Sequence, residues 1–339
     1  MSTSLQDDCE LVKACLPTIP IHVKKYNPIN DILVSEGMVT LMYEWIYTVQ
    51  KLINWVDDHA VENPSLSDIS DQVGYSPWYC SEQFHRIVGM TIKEYMAKRR
   101  LCLAALALRD SDMTVIDIAF EYGFSSQQAL TRAFTNAYGC APAAYRRNPV
   151  PIPLTMKKIV ITPSHYIEQG DFTMSNLTVP NYRIEYIPEH KYLGVYERSE
   201  TSEGPIWPGH DCDLLCGIVQ SITDCHPVVT NHTAGWKWVN GERKYFYGLG
   251  VNTDYSGPVP EGFVLTDIIP ASYYIVFNHP PFEYLSENIE VTKRVEELAW
   301  NFDPSALGYE WNETDCQDYQ RHYPEVIGYQ VLRPVKKIK

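Results

Sequence analysis

The sequence predicts two domains of different class. The first is an all-α domain in which a helix, a turn and a second helix occur twice. The second is an α+β domain whose antiparallel sheet comes from a duplicated strand-strand-helix-strand repeat. Three observations carry this. Residues 65–147 read as helix throughout and repeat themselves at a spacing of 49 to 50 positions. From Tyr182 onward the pattern changes to strand-like runs rich in aromatic residues. Between them a stretch begins Asn148-Pro149-Val150-Pro151-Ile152-Pro153, and proline-rich spacing of this kind separates domains. A chain of 339 residues with 45% hydrophobic content is also long for one core.

In chain order, residues 1–37 form an N-terminal extension with Pro17, Pro20 and Pro28 and no assignable element. Apolar residues then recur at helical spacing from Val39 to about Ala60: Leu41, Trp45, Val49, Leu52, Ile53 and Val56. Asn63-Pro64-Ser65 ends that helix. The first domain is expected over 38–147, a linker over 148–181 and the second domain over 182–339.

The repeat in the first domain is specific. Asp68-Ile69 and Gly74-Tyr75-Ser76 return 49 positions later as Asp117-Ile118 and Gly123-Phe124-Ser125. Phe84 and Gly89 return 50 positions later as Phe134 and Gly139. Ser65 with Asp68, Thr114 with Asp117, and Ser125 with Gln128 have the spacing of capping boxes. Gly74 and Gly123 suit the left-handed residue that ends a helix, and Ser76-Pro77 is an N-cap followed by proline at the first helical position.

Each second helix has two faces. Cys80, Phe84, Ile87 and Val88 lie on one side of the first, with Tyr79, Glu82, Gln83 and Arg86 opposite. In the second copy Leu130, Ala133, Phe134 and Ala137 are expected to pack inward, and Gln128, Thr131, Arg132 and Thr135 to face outward. Gln can pair bidentately with adenine and Arg with guanine in the major groove. A helix-turn-helix with this punctuation is a DNA-reading unit. Double-stranded DNA is therefore the expected partner.

Charge agrees with two domains of different role. The chain carries 28 Lys and Arg against 42 Asp and Glu, a net of −14, which argues against a general nucleic-acid coat protein. Residues 51–150 are nearly neutral at −1, whereas residues 151–339 carry −10. A local reading face is compatible with the first value; the second favours cationic ligands.

These motifs resemble the DNA-binding domain of the AraC/XylS family. The likeness rests on Gly123-Phe124-Ser125-Ser126-Gln127-Gln128-Ala129-Leu130-Thr131-Arg132-Ala133-Phe134, on Pro142-Ala143-Ala144-Tyr145-Arg146-Arg147, and on Tyr95 with Arg99-Arg100-Leu101. The resemblance implies two recognition helices entering successive major-groove turns, joined by one rigid helix. It implies Trp78, Ser81, Glu82 and Arg86 as the DNA-contacting residues of the first, and Gln127, Gln128, Thr131 and Arg132 of the second. It also implies contact with RNA polymerase. Glu82 departs from the arginine common in one subgroup of that family; a carboxylate there could accept from cytosine N4.

In the second half, Tyr182–Pro188, Tyr192–Arg198, Lys244–Val251, Phe263–Ile269, Tyr273–His279 and Val326–Leu332 read as strands, and Asp213–Thr223 and Phe282–Phe302 as helices. Arg183–Pro188 followed by Tyr192–Tyr196 is echoed by Leu265–Pro270 followed by Tyr273–Phe277. Two such copies would make a pseudo-symmetric domain with a cleft between them.

Residues 182–335 resemble the gyrase-inhibitor-like (GyrI-like) effector-binding domain. Tyr309-Glu310-Trp311-Asn312 falls where that family places a strand bearing a pocket glutamate, so the resemblance implies Glu310 as the carboxylate of a small-molecule site. Aromatic walls around a buried carboxylate would hold a lipophilic cation. Tyr192, Trp207, Trp238, Tyr247 and Tyr274 are the candidate effector-binding walls. Two alternatives stand beside an effector sensor: a hydrolase of reactive small molecules with Glu310 as general base, and a gyrase-binding module.

Nine cysteines fall at 9, 15, 80, 102, 140, 212, 216, 225 and 316 with no C-x-x-C pair. They read as reduced thiols of a cytoplasmic protein. His210, Cys212, Cys216, Cys225 and His226 cluster in sequence, but their spacing matches no standard zinc site. No metal or other cofactor is expected. No apolar run approaches the ~20 residues of a membrane span, so no membrane partner is expected.

Overall fold

A computed structural model describes residues 36–161, 181–196, 211–230, 232–239 and 242–338, with side chains from Trp45 onward. The chain divides into two compact units, one built from the helical half and one from the β-rich half.

The helical unit contains α1 (Glu36–His59), α2 (Leu66–Asp71), α3 (Pro77–Val88), α4 (Ile92–Asp110), α5 (Val115–Glu121), α6 (Gln127–Tyr138) and α7 (Pro142–Arg147). Trp45, Val49, Leu52, Ile53 and Val56 form the buried stripe of α1 as their spacing predicts. After a 3-10 turn, Asn63 takes a left-handed φ of 55° and ends this segment. Ser65 and Asp68 form the full reciprocal capping box. Gly74 and Gly123 have φ of 73° and 71°, the left-handed residues expected in both turns.

One expected cap shifts. Ser126, not Ser125, is the N-cap of α6, and its hydroxyl accepts from the Ala129 amide. Ser125 stays in the turn, so α6 begins at Gln127. Three face assignments also change. Ala137 is exposed, because Tyr138 packs its ring on Phe134 at 4.8 Å and takes the inner position. Gln83 is buried beside Phe84, and Tyr79 lies edge-on against Trp45 at 4.8 Å, so neither faces outward freely.

The expected linker begins later than its prolines suggest. Ile152, Leu154, Met156 and Ile161 are buried in the helical unit. The Gln50 side chain donates to the Lys158 carbonyl at 3.3 Å and accepts from the Val160 amide at 2.7 Å. Arg99 donates to the Thr155 carbonyl at 2.5 Å. This extended segment is therefore held by side chains that satisfy its backbone.

The β-rich unit is one nine-stranded antiparallel sheet. Its strands are β1 (Asn181–Ile187), β2 (Lys191–Tyr196), β3 (Thr233–Val239), β4 (Glu242–Val251), β5 (Val264–Leu265), β6 (Ser272–His279), β7 (Tyr309–Trp311), β8 (Asp318–Tyr323) and β9 (Gly328–Lys337). The order is β1-β6-β9-β8-β3-β4-β2-β5, with β7 paired to β9. Helices α8 (Cys212–Ser221) and α9 (Tyr284–Asn301) complete it.

The duplication is visible in that order. Strands β6, β9 and β8 on one side mirror β2, β4 and β3 on the other, with β8 and β3 paired at the centre. The end strands are exchanged: β1 precedes β2 but pairs β6, and β5 precedes β6 but pairs β2. Expected strand Phe263–Ile269 shortens to two residues and a single bridge between His190 and Ile269.

Both helices cover one face of the sheet. Ala234 packs in the cluster under α8. Trp236, two residues along β3 and so on the same face, packs in the cluster under α9. The opposite face carries a second core of Tyr192, Phe246, Tyr274, Val276, Tyr319 and Leu332.

Candidate nucleic-acid interface and a second, buried site

Helix α3 is fixed at both ends. The Tyr79 amide donates to Ser76 Oγ at 3.3 Å, Pro77 opens the helix, and Gly89 closes it with φ 80°. Beneath it, Cys80, Phe84 and Val88 are buried, and Phe84 meets Tyr95 of α4 at 5.7 Å. Trp45 of α1 touches Tyr75 in the turn at 4.5 Å as well as Tyr79. This packing leaves Trp78 72% exposed, a large apolar ring facing solvent. Glu82 and Arg86 are exposed on the same helix and Ser81 is half-buried.

Helix α6 repeats the arrangement. Leu130 and Phe134 are its buried anchors, and Phe134 packs on Tyr145 of α7 at 5.4 Å. Gln127, Gln128 and Arg132 are exposed, and Thr131 is half-buried with its hydroxyl donating to the Gln127 carbonyl at 2.8 Å. Among the described residues neither Arg86 nor Arg132 forms an ion pair, so both guanidinium groups are available to an outside acceptor.

Helix α4 joins the two helix-turn-helix repeats. Its 19 residues span about 28 Å, close to the ~34 Å turn of B-DNA. It is anchored by Arg99, which is buried and donates to both carboxylate oxygens of Asp57 on α1. The structure thus brings the eight expected DNA-contacting residues onto two helices, four on each.

Comparison with known proteins agrees. A family model described as a helix-turn-helix domain matches residues 69–148. The HTH-type transcriptional activator AarP of Providencia stuartii is 37% identical over 98 residues, which is 29% of this chain and 73% of AarP. The chain belongs to the AraC family of helix-turn-helix transcription regulators. It is a DNA-binding protein of that family. The Right origin-binding protein of Escherichia coli K12 is 33% identical over 145 residues, and the match spans 43% of each chain. A solved structure titled as SAV2435 bound to tetraphenylphosphonium overlaps 46% of this AraC-family chain at 11% identity and a TM-score of 0.33, too slight a likeness to build on.

In the β-rich unit the expected effector residues do not converge. Glu310 is exposed on β7 and faces Lys336 at 3.6 Å, because β7 pairs with the end of β9 beyond the buried sheet. Tyr192 and Tyr274 are buried in the core on the face away from the helices. Tyr192 donates to the Thr233 carbonyl. Tyr247 lies on the helix-bearing face under α8, where His232 Nδ1 stands 2.5 Å from its hydroxyl and Cys216 Sγ 3.2 Å. Trp238 is half-buried on β3, and Trp207 lies outside the described residues.

A carboxylate other than Glu310 is buried at the centre of the sheet. Asp318 opens β8 at the centre of the sheet and is fully buried, and neither oxygen accepts a hydrogen bond. Burial pushes its pKa up to about 8, against the pull of Arg333, whose Nε is 3.7 Å away. Asp318, Trp236 and Gln320 share the helix-bearing face, on the strands between those under α8 and those under α9.

Asp318 lies opposite Trp236 on β3 and beside Arg333, and further rings and charges cluster on these two side chains. Trp236 meets Trp300 of α9 edge-on at 5.2 Å and Tyr245 at 5.6 Å. The Arg333 guanidinium lies over Trp311 at 3.6 Å, donates to the Ala299 carbonyl at 2.7 Å and pairs with Glu313. Arg243 lies over Trp300 at 4.0 Å and over Trp238 at 5.7 Å. Glu296, raised in pKa by burial, accepts from the Tyr329 hydroxyl at 2.7 Å.

Sequence reasoning missed β8 and with it Asp318. Asp-Tyr-Gln-Arg-His-Tyr has no aliphatic residue, yet four of its six residues are buried in the sheet centre. The available signal was the alternation itself, with Asp318, Gln320 and His322 on one face. Among the described residues no group of three or more His, Cys, Asp or Glu is placed to hold a metal, and His210 lies outside them. No described helix is long and apolar enough to cross a membrane.

Proposed function

We propose that this AraC-family regulator reads two adjacent major-groove segments with α3 and α6, contacts RNA polymerase, and answers to a small lipophilic or cationic effector bound in its β-rich unit. The observation that carries the DNA reading is the pair of exposed stripes on two helices with matching caps. Gln127, Gln128, Thr131 and Arg132 supply the base-specific donors and acceptors on α6. Trp78, Ser81 and Arg86 anchor α3, and Glu82 can accept from cytosine N4 there.

The test is binding of the full chain to a promoter-region DNA library at two salt concentrations. The wild type selects a sequence and binds less tightly at higher salt. Gln128→Ala/Arg132→Ala loses about 1–3 kcal/mol of discrimination per contact and with it the base preference at those positions. Binding without selection in the wild type would sink the reading.

The effector reading rests on Asp318. A buried carboxylate without a hydrogen bond, bordered by Trp236, Trp238, Trp300 and Trp311, suits a flat aromatic cation. Arg243 already lies on the ring faces of Trp238 and Trp300 and, unlike Arg333, has no ion pair among the described residues. It is the group that a ligand cation displaces. Titration with an aromatic quaternary ammonium dye, followed by tryptophan quenching, gives saturable binding in the wild type. Above the Asp318 pKa of about 8, Asp318→Asn weakens it at least about tenfold, the order of one buried charge pair. Equal binding by both proteins would rule Asp318 out.

A further inference from the structure

We propose that the outer edge of β1 pairs with the same edge of a second copy of this chain, joining two nine-stranded sheets into one. Strand β1 ends the sheet, and among the described residues its backbone pairs only with β6. The described β6 partners place Tyr182 opposite Phe277, Ile184 opposite Ile275 and Tyr186 opposite Tyr273, all on the helix-bearing face. Tyr182, Ile184, Tyr186 and Tyr273 are 46%, 43%, 54% and 44% exposed. A long edge strand with an apolar face is a template for another strand, unless charge or covering protein blocks it.

The charges on β1 favour its own copy. Arg183 and Glu185 lie on the other face, one residue either side of Ile184. An antiparallel pair centred on Ile184 sets Arg183 against the partner's Glu185, and Glu185 against the partner's Arg183. It sets Tyr182 against the partner's Tyr186 and Ile184 against the partner's Ile184. All seven residues of the strand are then paired.

No other register does this. A two-residue slip in either direction sets arginine against arginine or glutamate against glutamate. A one-residue slip sets the apolar face of one copy against the charged face of the other. The strand is self-complementary in one alignment only.

The side chains are prepared for it. Arg321 holds Glu185 by two hydrogen bonds of 2.6 and 3.1 Å, fixing the carboxylate on its face. Arg183 contacts the same carboxylate at 3.1 Å and is 47% exposed, so its guanidinium is free to cross to the partner's Glu185. The two-fold axis runs perpendicular to the sheet through Ile184, and a dimer so formed carries four helix-turn-helix units.

Sedimentation velocity of the full chain from about 1 to about 100 µM tests this, because a dimer of this kind dissociates on dilution. The expected result is a wild-type dimer that Ile184→Lys converts to monomer by setting lysine against the partner's lysine. Arg183→Glu, which creates two glutamate pairs, weakens the dimer about tenfold. Near-UV circular dichroism checks that both variants fold. A wild type that stays monomeric throughout overturns the proposal, including the case where β1 amides resist hydrogen exchange because this chain covers its own edge. So does a dimer that neither folded variant weakens.

Discussion

In the first helix-turn-helix unit the recognition helix is braced from outside the repeat. Trp45 of α1 packs on Tyr75 and Tyr79, and Asp57 of the same helix holds Arg99 of α4. In the second unit the brace is the short α7, through Tyr145 on Phe134. The surfaces differ too. Helix α3 offers an exposed tryptophan, one arginine and a glutamate; α6 offers two glutamines, a threonine and an arginine. Similar caps and turns thus carry two helices whose exposed faces differ, the first presenting an aromatic ring and the second side-chain amides.

The largest expected effect comes from cutting the brace peculiar to the first unit. Arg99→Ala leaves the nearly buried Asp57 carboxylate without its partner, which costs about 3–5 kcal/mol for a broken buried pair. Urea denaturation followed by circular dichroism should show the helical transition at lower urea, with the β-rich transition unmoved. An unmoved helical transition would mean that α1 does not brace the domain.

The two turns should separate next. A Cβ on Gly74 meets nothing within 4 Å, so Gly74→Ala carries only the left-handed strain of about 1–2 kcal/mol. A Cβ on Gly123 would stand 2.6 Å from the Val61 carbonyl oxygen, and backbone cannot step aside cheaply. Gly123→Ala should therefore lower the melting temperature more than Gly74→Ala. Equal shifts would show that the close approach to Val61 relaxes.

Exchanging charge on α3 sharpens the contrast between the two helices. Glu82 is exposed on α3 beside Arg86. Glu82→Arg adds a cation facing phosphate, so binding to unrelated DNA should tighten and the salt slope steepen by about 1. Fluorescence anisotropy at several salt concentrations reads both. An unchanged slope would place Glu82 away from the phosphates.

Legibility in the sequence follows the same division. The helical unit announced itself because caps, glycines and apolar spacing all act locally, and α1, the turns and the exposed stripe of α6 lie where those signals put them. The misplaced cap at Ser125 is a choice between two adjacent serines, which local chemistry does not rank. Buried Gln83 and exposed Ala137 were decided by neighbours distant in sequence or by a larger ring nearby. The β-rich unit was legible as strands but not as a site. Glu310 and Asp318 are eight residues apart, and only the pairing of β7 with the end of β9, and of β8 with β3, puts one in water and the other in the core. The segment 152–161 reads as linker by its prolines, yet Gln50, Tyr95 and Arg99 reach across to fix its backbone.

The smallest expected effect separates the two caps. At the first, the Ser65 amide donates to Asp68 at 2.8 Å while the Asp68 amide donates to Ser65 Oγ at 3.2 Å, a complete reciprocal box. At the second, the Asp117 amide donates to Thr114 Oγ1 at 3.2 Å and the Thr114 hydroxyl donates to Asp117 at 2.6 Å. Thr114→Ala should cost about 1 kcal/mol, the usual worth of an N-cap, and Ser65→Ala a few tenths more. The Ser65 hydrogen bonds hold the Asp68 carboxyl below its ordinary value of 3.8. A carboxylate lowered in the folded state stabilises above its unfolded pKa, and the gain is lost as pH falls through the folded value. The gap between melts of the wild type and Ser65→Ala should therefore narrow, without closing, as pH drops below 3.8, because protonated Asp68 no longer completes the box while the Ser65 hydroxyl still accepts from the Asp68 amide. A gap of unchanged size in acid would assign the cap's worth to the Ser65 hydroxyl alone.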